Sequence, residues 1–346
     1  MTTPRTRYVS AGAECLYSTV FIALKIKIAC MISADEPKLL LAENIRKSSM
    51  IDHKSAPSNN GPRAEICDSI LPAYPLVCHV LARRSPMPTT DKPVIHTARK
   101  AAVTTITISR PEARNALNVA VLTGMADAME AAEADGETQV IVLTGGADTF
   151  SAGADIDMLS GQTAASYVTS PNRFGFERIR DSRLPVIAAV SGFCLGGGCE
   201  IALAADIVIA SDTAVFGQPE INLGIIPGAG GTQLWGERAG RGMQAEAAMR
   251  GEFVDAYAAR RAGLVDRVVP KEALLGATAT EAEHLARKAP LALRAVKSAM
   301  RARWRMSAVA ALDHEVALMA NLLASSDAGE GITAFLEKRQ PDFTGN

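Results

Sequence analysis

The chain has 346 residues, enough for one large domain or two ordinary ones with a sizeable hydrophobic core. Its formal net charge of -1 gives no general basis for binding nucleic acid. Five histidines are scattered without metal-ligand spacing, and six cysteines are too few for a disulfide scaffold, so we expect reduced, buried thiols.

Residues 1–86 differ in character from the rest of the chain. They show no helical or strand periodicity, contain eleven Lys and Arg against seven acids, and carry five prolines in their second half. The most apolar run, residues 18–33, contains Lys25 and Lys27, which argues against a membrane span and a secretory signal. We expect little stable structure in this extension.

Three hypotheses account for residues 1–86: a targeting segment, an accessory arm, or an upstream stretch that precedes a true start at Met87. We favour the last, because the organised sequence begins just after Met87. Mass spectrometry of the natural N-terminus separates these hypotheses. The protein is expected in the cytoplasm, or in mitochondria if the extension includes a transit peptide.

Strand and helix signals alternate from about residue 93. A helix is predicted over 116–134, with one apolar face made by Leu117, Val121, Leu122, Met125 and Met129. Short apolar strands are predicted at 103–109, 139–144, 186–190 and 206–210. This alternation is typical of an α/β core covered on both faces. After Pro270 the pattern is helical through 338, with Pro290 in a first turn, and this region is a candidate oligomerisation element.

Three glycine-rich segments each follow a predicted strand, at 145–155, 191–200 and 216–232. Such turns bring backbone N–H groups close to a ligand, although tight turns and close helix packing explain a single one equally well. No GxxxxGK[ST] motif is present, and no GxGxxG opens a helix after the first strand. The nucleotide-hydrolase and dinucleotide-binding classes are therefore poorly supported.

The second glycine-rich segment leads into an apolar helix that carries Glu200 in its first turn. Unpaired N–H groups at a helix N-terminus can stabilise an oxygen that becomes negative during a reaction. The helix dipole also stabilises a carboxylate at this position, and this is the simpler explanation for an acid there. The neighbours are all apolar, however, so Glu200 should be buried or face a cleft, and a buried acid needs a partner or a role.

Glu220 is the second candidate acid, in the loop 217–224. A solvated loop carboxylate is the alternative explanation. Pro219 and the apolar residues that follow predict instead an ordered, dry setting; those residues are Ile221, Leu223, Ile225 and Ile226.

Residues from about 93 to 346 resemble the crotonase superfamily, and specifically its enoyl-CoA hydratases. The motifs that carry the resemblance are RPEARNALN (110–118), FSAGADI (150–156), GGGCEIALAADI (196–207), FGQPEINLGIIPGAGGTQ (216–233) and AFLEKRQPDF (334–343). The resemblance implies an α/β domain over 87–346. Its parts would be a crotonase-type ββα spiral core to about 270 and a helical oligomerisation region over 271–346. It also implies a homotrimer or a dimer of trimers.

The resemblance also implies roles for individual residues. Glu200 would be the base that activates water and Glu220 the acid, with an oxyanion hole from the backbone N–H groups of Ala154 and Gly197, and Gly228 helping to hold the water. The coenzyme A site would include Arg114, Ala116, Ala152, Ala154, Asp155, Ile156 and Gly197. No metal or separate cofactor is implied, because coenzyme A is part of the substrate. Asp157 departs from the pattern, since many relatives carry lysine there.

The implied reaction is the reversible addition of water to a 2-trans-enoyl-CoA to give a 3-hydroxyacyl-CoA, in β-oxidation or related acyl-CoA metabolism. The alternatives are an isomerase, a carnitinyl-CoA-type dehydratase, a thioester hydrolase, or a binding protein without turnover. Isomerases of this family generally lose the acid that matches Glu200, so retention of both acids favours hydration. Residues 158–184 are expected to shape the acyl pocket, with Met158, Phe174 and Phe176 as candidates.

A basic stripe occurs late in the chain, where Arg294, Lys297, Arg301 and Arg305 share one helical face. We interpret this stripe as a solvated face or a set of subunit salt bridges. Contact with coenzyme A phosphates is the functional alternative.

Overall fold

The computed structural model describes residues 93–346, apart from the side chains of Pro171, Asn172 and Phe174. The predictions made for residues 1–86, and for the Phe174 side chain, lie outside what it describes. Nine strands are present in the described part of the chain: β1 Ile95–Lys100, β2 Val103–Ile108, β3 Val140–Thr144, β4 Val186–Val190, β5 Phe193–Leu195, β6 Ile207–Ser211, β7 Val215–Gly217, β8 Phe253–Asp255 and β9 Arg267–Val269. The four strands predicted from the sequence are confirmed, each to within one residue.

Two sheets are formed from these strands. The larger has the order β1-β2-β3-β4-β6-β9, in which only the β1–β2 pair is antiparallel. The smaller has the order β5-β7-β8, with β5 and β7 parallel. The short step from β4 to β5 moves the chain from the larger sheet to the smaller one, so the glycine-rich segment after β5 lies where the two sheets meet.

Eleven α-helices lie within the described residues: α1 Val119–Ala134, α2 Ile156–Ser160, α3 Ala164–Val168, α4 Pro171–Arg180, α5 Gly197–Ala204, α6 Gly231–Ala245, α7 Ala256–Ala262, α8 Leu274–Ala286, α9 Pro290–Ala302, α10 Ala308–Leu323 and α11 Ser326–Glu337. Pro290 opens α9, as predicted. Among residues 93–346 no single helix has the length and apolar character to cross a bilayer; α10 and α11 reach that criterion only as a pair bent by 74°.

Helix α1 begins later than predicted. Asn118 is extended and caps the helix, because its side-chain oxygen accepts a hydrogen bond from Val121 N at 3.0 Å. Leu117 precedes the cap and pairs with Ala154 in a β-bridge, so the backbone there is used for a tertiary contact instead of a helical turn. The predicted apolar face is buried throughout, which confirms it.

The hydrophobic core lies on both faces of the larger sheet. One face packs Ile106, Leu143 and Ala188 against α1, α5 and α6. The other packs Val142 and Ile187 against α8, through the helix residues Leu274 and Ala282. Coverage on both faces explains why the parallel strands are continuously apolar, and it confirms the α/β class.

The basic stripe is only partly a solvated face: Arg294 and Arg305 are exposed, and Arg305 lies beyond the end of α9, whereas Lys297 and Arg301 turn inward. Lys297 is only 5% exposed; its ammonium pairs with Asp206 at 2.6 Å and donates to the carbonyl of Leu184. Arg301 donates to the carbonyl of Ser182 at 2.8 Å. Lys297 and Arg301 therefore tie α9 to the segments just before β4 and β6, through contacts inside this chain.

Replacing Lys297 by Met should lower the free energy of unfolding by about 2–4 kcal/mol, because it leaves a buried carbonyl and a carboxylate without their donor. Burial lowers the pKa of Lys297 to about 8, against the opposing charge of Asp206. Between that value and the ordinary lysine pKa, the unfolded chain holds a proton that the folded chain has lost. The contribution of Lys297 to the free energy of unfolding therefore rises with pH between these two pKa values. The gap between wild type and Lys297→Met should widen from neutral to alkaline pH in urea titrations.

The exposed Lys288→Met variant is the matched control and should leave stability nearly unchanged. An equal effect of the two substitutions would contradict the inward role of Lys297.

Candidate active site

The site is built where two glycine-rich segments touch through their backbones. Ser151 N donates to Phe193 O at 2.9 Å, and Leu195 N donates to Ser151 O at 3.0 Å. A Cβ on Gly153 would lie 3.2 Å from Leu195 O and 3.8 Å from Gly196 Cα, so no side chain separates the two strands of backbone. Gly153 and Gly196 therefore lie against each other, and Ala154 and Gly197 follow them directly along the two segments.

Both of those residues present backbone N–H groups. Among the hydrogen bonds within residues 93–346, neither Ala154 N nor Gly197 N acts as a donor. Gly197 is the first residue of α5, where N–H groups have no intrahelical acceptor. Two converging free donors of this kind suit an oxygen that gains negative charge.

The segment predicted to contact coenzyme A lies beside this pair of donors. Ala152 N donates to Arg114 O at 3.0 Å, which joins the turn at 114–116 to the segment 152–156. The buried side chain of Asn115 donates to Thr149 O at 2.7 Å. Arg110 donates to Ala116 O at 2.7 Å and pairs with Asp155 at 3.2 Å.

All the residues predicted for coenzyme A contact therefore lie in adjoining segments. Asp157 is exposed in the first turn of α2, and only its backbone joins this network, because Asp157 N donates to Asp155 Oδ1 at 3.3 Å. The contacts of Arg110 and Asn115 are internal to the protein, so they position the loop and leave its surface free.

Glu200 is 4% exposed, as its apolar neighbours predicted. Its Oε1 accepts hydrogen bonds from Ala229 N and Gly231 N, both at 2.7 Å. Burial raises the pKa of the Glu200 carboxyl above its ordinary value. The two N–H donors and the charge of Arg180 oppose that rise. This carboxyl is thus oriented by fixed backbone donors and has a pKa moved toward neutrality.

Glu220 lies on the opposite segment, in a 3₁₀ turn over Pro219–Leu223. A Cβ on Gly196 would lie 2.6 Å from its Oε1, so only a glycine there leaves room for the carboxyl. Burial, and to a lesser degree the charge of Glu200, raise the pKa of Glu220 to about 7. The two acids are therefore electrostatic neighbours at one cleft.

The sequence predicted that Glu220 is kept dry by the apolar residues that follow it, and this explanation is wrong. The four apolar residues that follow it along the chain are exposed; they are Ile221, Leu223, Ile225 and Ile226. The protection comes from the opposite side, where the carboxyl packs on Gly196 and on the buried side chain of Gln218. A 3₁₀ turn directs consecutive side chains to different sides, so Glu220 can point inward while its neighbours point outward.

Comparison with known proteins shows the family to which the chain belongs. Residues 98–346 match the family model described as enoyl-CoA hydratase/isomerase. The chain belongs to the enoyl-CoA hydratase/isomerase family. It is 42% identical over 248 residues to the 2,3-dehydroadipyl-CoA hydratase of Escherichia coli, covering 72% of this chain and 97% of the relative. A probable enoyl-CoA hydratase of Rhizobium meliloti is 40% identical over 69% of this chain and 93% of its own length.

Solved structures lead to the same family. The enoyl-CoA hydratase from Bacillus anthracis is 33% identical, with a TM-score of 0.69 over 73% of this chain and all of that chain. The enoyl-CoA hydratase from Mycobacterium tuberculosis is 34% identical, with a TM-score of 0.68 over 74% of this chain. The family's fold, a mixed α/β core followed by C-terminal helices, is the fold described above.

Gln218 is a functional candidate that the sequence of this enoyl-CoA hydratase/isomerase family member did not reveal. Its amide, oriented with nitrogen toward the acid, donates to Glu220 Oε2 at 3.1 Å and accepts from Trp235 Nε1 at 3.2 Å. Both side chains are fully buried. The pair therefore fixes the direction of the Glu220 carboxyl and, by donating to its ionised form, opposes the burial that raises its pKa.

Tyr167 was also missed. A Cβ on Gly228 would overlap Tyr167 Oη, so the hydroxyl lies directly against the glycine that was predicted to help hold water. The Phe176 ring lies 3.2 Å from a Cβ built on Gly197, and its part in an acyl pocket stays a prediction. A tyrosine in an irregular polar stretch gave no pattern by which the sequence could assign it.

The two cysteines within the described residues, Cys194 and Cys199, are free and buried, as expected for reduced thiols. Burial raises the pKa of the Cys194 thiol well above its ordinary value, which makes it a poor nucleophile. Residues 93–346 contain no group of three or more His, Cys, Asp or Glu placed to hold a metal ion.

Proposed function

We propose that this protein is a 2-enoyl-CoA hydratase, which adds water reversibly to the double bond of a 2-trans-enoyl thioester. One observation carries the proposal: two acids with raised pKa values, Glu200 and Glu220, share a cleft with two free backbone N–H groups. Hydration of a conjugated thioester requires a base for water, an acid for the α-carbon, and donors for the carbonyl oxygen.

In the proposed reaction the thioester carbonyl oxygen accepts hydrogen bonds from Ala154 N and Gly197 N. Glu200 removes a proton from water as the oxygen bonds to the β-carbon, and the π electrons move onto the thioester as an enolate. Glu220 then gives its proton to the α-carbon, and the carbonyl is restored. Dehydration runs the same steps backward with the roles of the acids exchanged.

The environments of the two acids support this division of roles. Glu200 receives two backbone N–H donors and faces the positive charge of Arg180, and all three favour its ionised, basic form. Glu220 has a pKa raised to about 7, so a substantial fraction of it holds a proton at neutral pH. A pair of carboxyls whose environments differ in this way suits one base and one acid.

The direct test is hydration of crotonyl-CoA by the purified protein, followed as the loss of absorbance of the conjugated thioester. Hydration should fall as pH rises above about 7, because Glu220 must be protonated, and should also fall in acid, because Glu200 must be ionised. No hydration of either short or long enoyl-CoA would exclude the proposal and favour another acyl-CoA reaction of the family.

We infer that the protein works as a homo-oligomer, a trimer or a dimer of trimers. Helix α10 has no buried residue, and its exposed apolar side chains recur along one side: Val309, Leu312, Val316, Met319 and Leu323. An exposed apolar stripe of this extent marks a protein–protein contact. Sedimentation equilibrium should give a multiple of the chain mass, and a monomer at micromolar concentration would contradict this assignment.

A further inference from the structure

The Tyr167 side chain, 44% exposed, lies beside the loop whose N–H groups bind Glu200. It stands on α3, whose start is held by a reciprocal pair of hydrogen bonds between Thr163 and Ser166. Its hydroxyl touches Gly228, the residue next to Ala229 in the loop that binds Glu200. The phenol oxygen and the Glu200 carboxyl therefore contact neighbouring residues of one short loop.

The charges around the phenol identify which groups face it. Partial burial raises the pKa of Tyr167 above its ordinary value, and the charges of Glu200 and then Glu220 raise it further. Both acids are thus close enough to act on this hydroxyl. Because the phenol stays protonated at neutral pH, it offers one O–H donor near both acids.

Chemistry decides what that donor can bind. Carbon 3 of the acyl chain carries the oxygen that enters during hydration, and this oxygen must lie beside Glu200, the proposed base. A hydroxyl that lies against Gly228, beside the loop that holds Glu200, can reach the same oxygen, whereas the thioester oxygen is bound by the backbone donors at Ala154 and Gly197.

We propose that Tyr167 is a further catalytic group, whose hydroxyl donates a hydrogen bond to the oxygen on carbon 3 of the acyl thioester. That oxygen belongs to the attacking water in one direction and to the departing hydroxyl in the other. The phenol keeps its proton throughout, so it orients the oxygen and stabilises the charge on it without taking part in the proton count. This assignment rests on the proposed hydratase function.

The first measurement uses binding, so that it does not depend on turnover. Acetoacetyl-CoA carries an oxygen on carbon 3 and butyryl-CoA does not, and neither can be hydrated. The preference of the wild type for acetoacetyl-CoA, measured by calorimetry, should fall about 5- to 10-fold in Tyr167→Phe, the range expected for one hydrogen bond. The Tyr257→Phe variant, at an exposed tyrosine on α7, should keep the full preference.

The second measurement is crotonyl-CoA hydration. Tyr167→Phe should lower kcat about 10- to 100-fold with little change in KM, because the lost interaction is strongest at the transition state. An unchanged preference for acetoacetyl-CoA, with kcat within about two-fold of wild type, would overturn the proposal and leave Tyr167 as a wall of the acyl pocket.

The two measurements separate the two hypotheses. A wild type that lacks hydratase activity but loses its acetoacetyl-CoA preference in Tyr167→Phe would overturn the proposed function and retain the tyrosine contact. An active wild type with an unaffected Tyr167→Phe variant would support the proposed function and overturn the role of Tyr167.

Discussion

Glu200→Gln and Glu220→Gln should each lower kcat for crotonyl-CoA hydration by about 10²–10⁴-fold, because each removes one proton-transfer group and keeps its shape. Glu200→Gln also places an amide against two backbone N–H donors, from Ala229 and Gly231. The amide oxygen still accepts those bonds, so folding should survive. The double variant should be little worse than the poorer single variant, since the two acids act in one reaction.

The exposed Glu272→Gln variant is the control for loss of one negative charge, and its kcat should match wild type. Hydration that survives in Glu200→Gln would show that another group activates the water.

A 3-enoyl-CoA substrate distinguishes a hydratase from an isomerase. An isomerase would depend on Glu220 alone, so double-bond migration that persists in Glu200→Gln while hydration is absent in wild type would favour that alternative.

Gly198→Ala should lower kcat/KM by about 10²-fold, because it separates the two backbone segments that hold the thioester oxygen. A Cβ at residue 198 would lie 2.6 Å from Ser151 Cβ and 2.9 Å from Ser151 O. Ser151 is fully buried and its Oγ accepts from Gly153 N at 3.2 Å, so the displacement would pass to Ala154. The free energy of unfolding should also fall by about 1–3 kcal/mol from overpacking.

Gly276→Ala is the matched control for this substitution. It lies within α8, and a Cβ there meets nothing within 4 Å. It should leave kcat/KM unchanged and raise stability by up to about 1 kcal/mol through helix propensity. A folded Gly198→Ala protein with wild-type kcat/KM would show that Ser151 gives way without moving the oxyanion segment.

Much of the architecture could be predicted from local patterns. Continuous apolar runs such as 139–144 and 186–190 were identified as buried strands, and both lie in the larger sheet with both faces covered. Glu200 could be predicted to be buried, because every neighbour in its helix is apolar or glycine. These successes share a cause: burial imposes a composition that a single segment displays without reference to the rest of the chain.

Contacts between distant segments could not be predicted in the same way. Lys297 belonged to a helical stripe of four cations, and only the packing of α9 against β4 turned it inward toward Asp206. The apolar residues after Glu220 suggested a dry loop, yet they are exposed, and the carboxyl is protected by Gly196 and Gln218. The charge and hydropathy of a side chain indicate which environments suit it, but they do not indicate toward which neighbouring segment it points.

The sequence by itself determined the α/β class, four of the nine strands in the described residues and the two acids on which the proposed chemistry rests, because a local period or motif marks each of them. The tertiary structure alone decided how those acids are held: by the N–H groups of Ala229 and Gly231, by Gln218, and beside Tyr167. These partners lie from 2 to more than 30 residues away along the chain. Their meeting depends on where the sheet and the loops bring the chain together, and no local pattern records that distance.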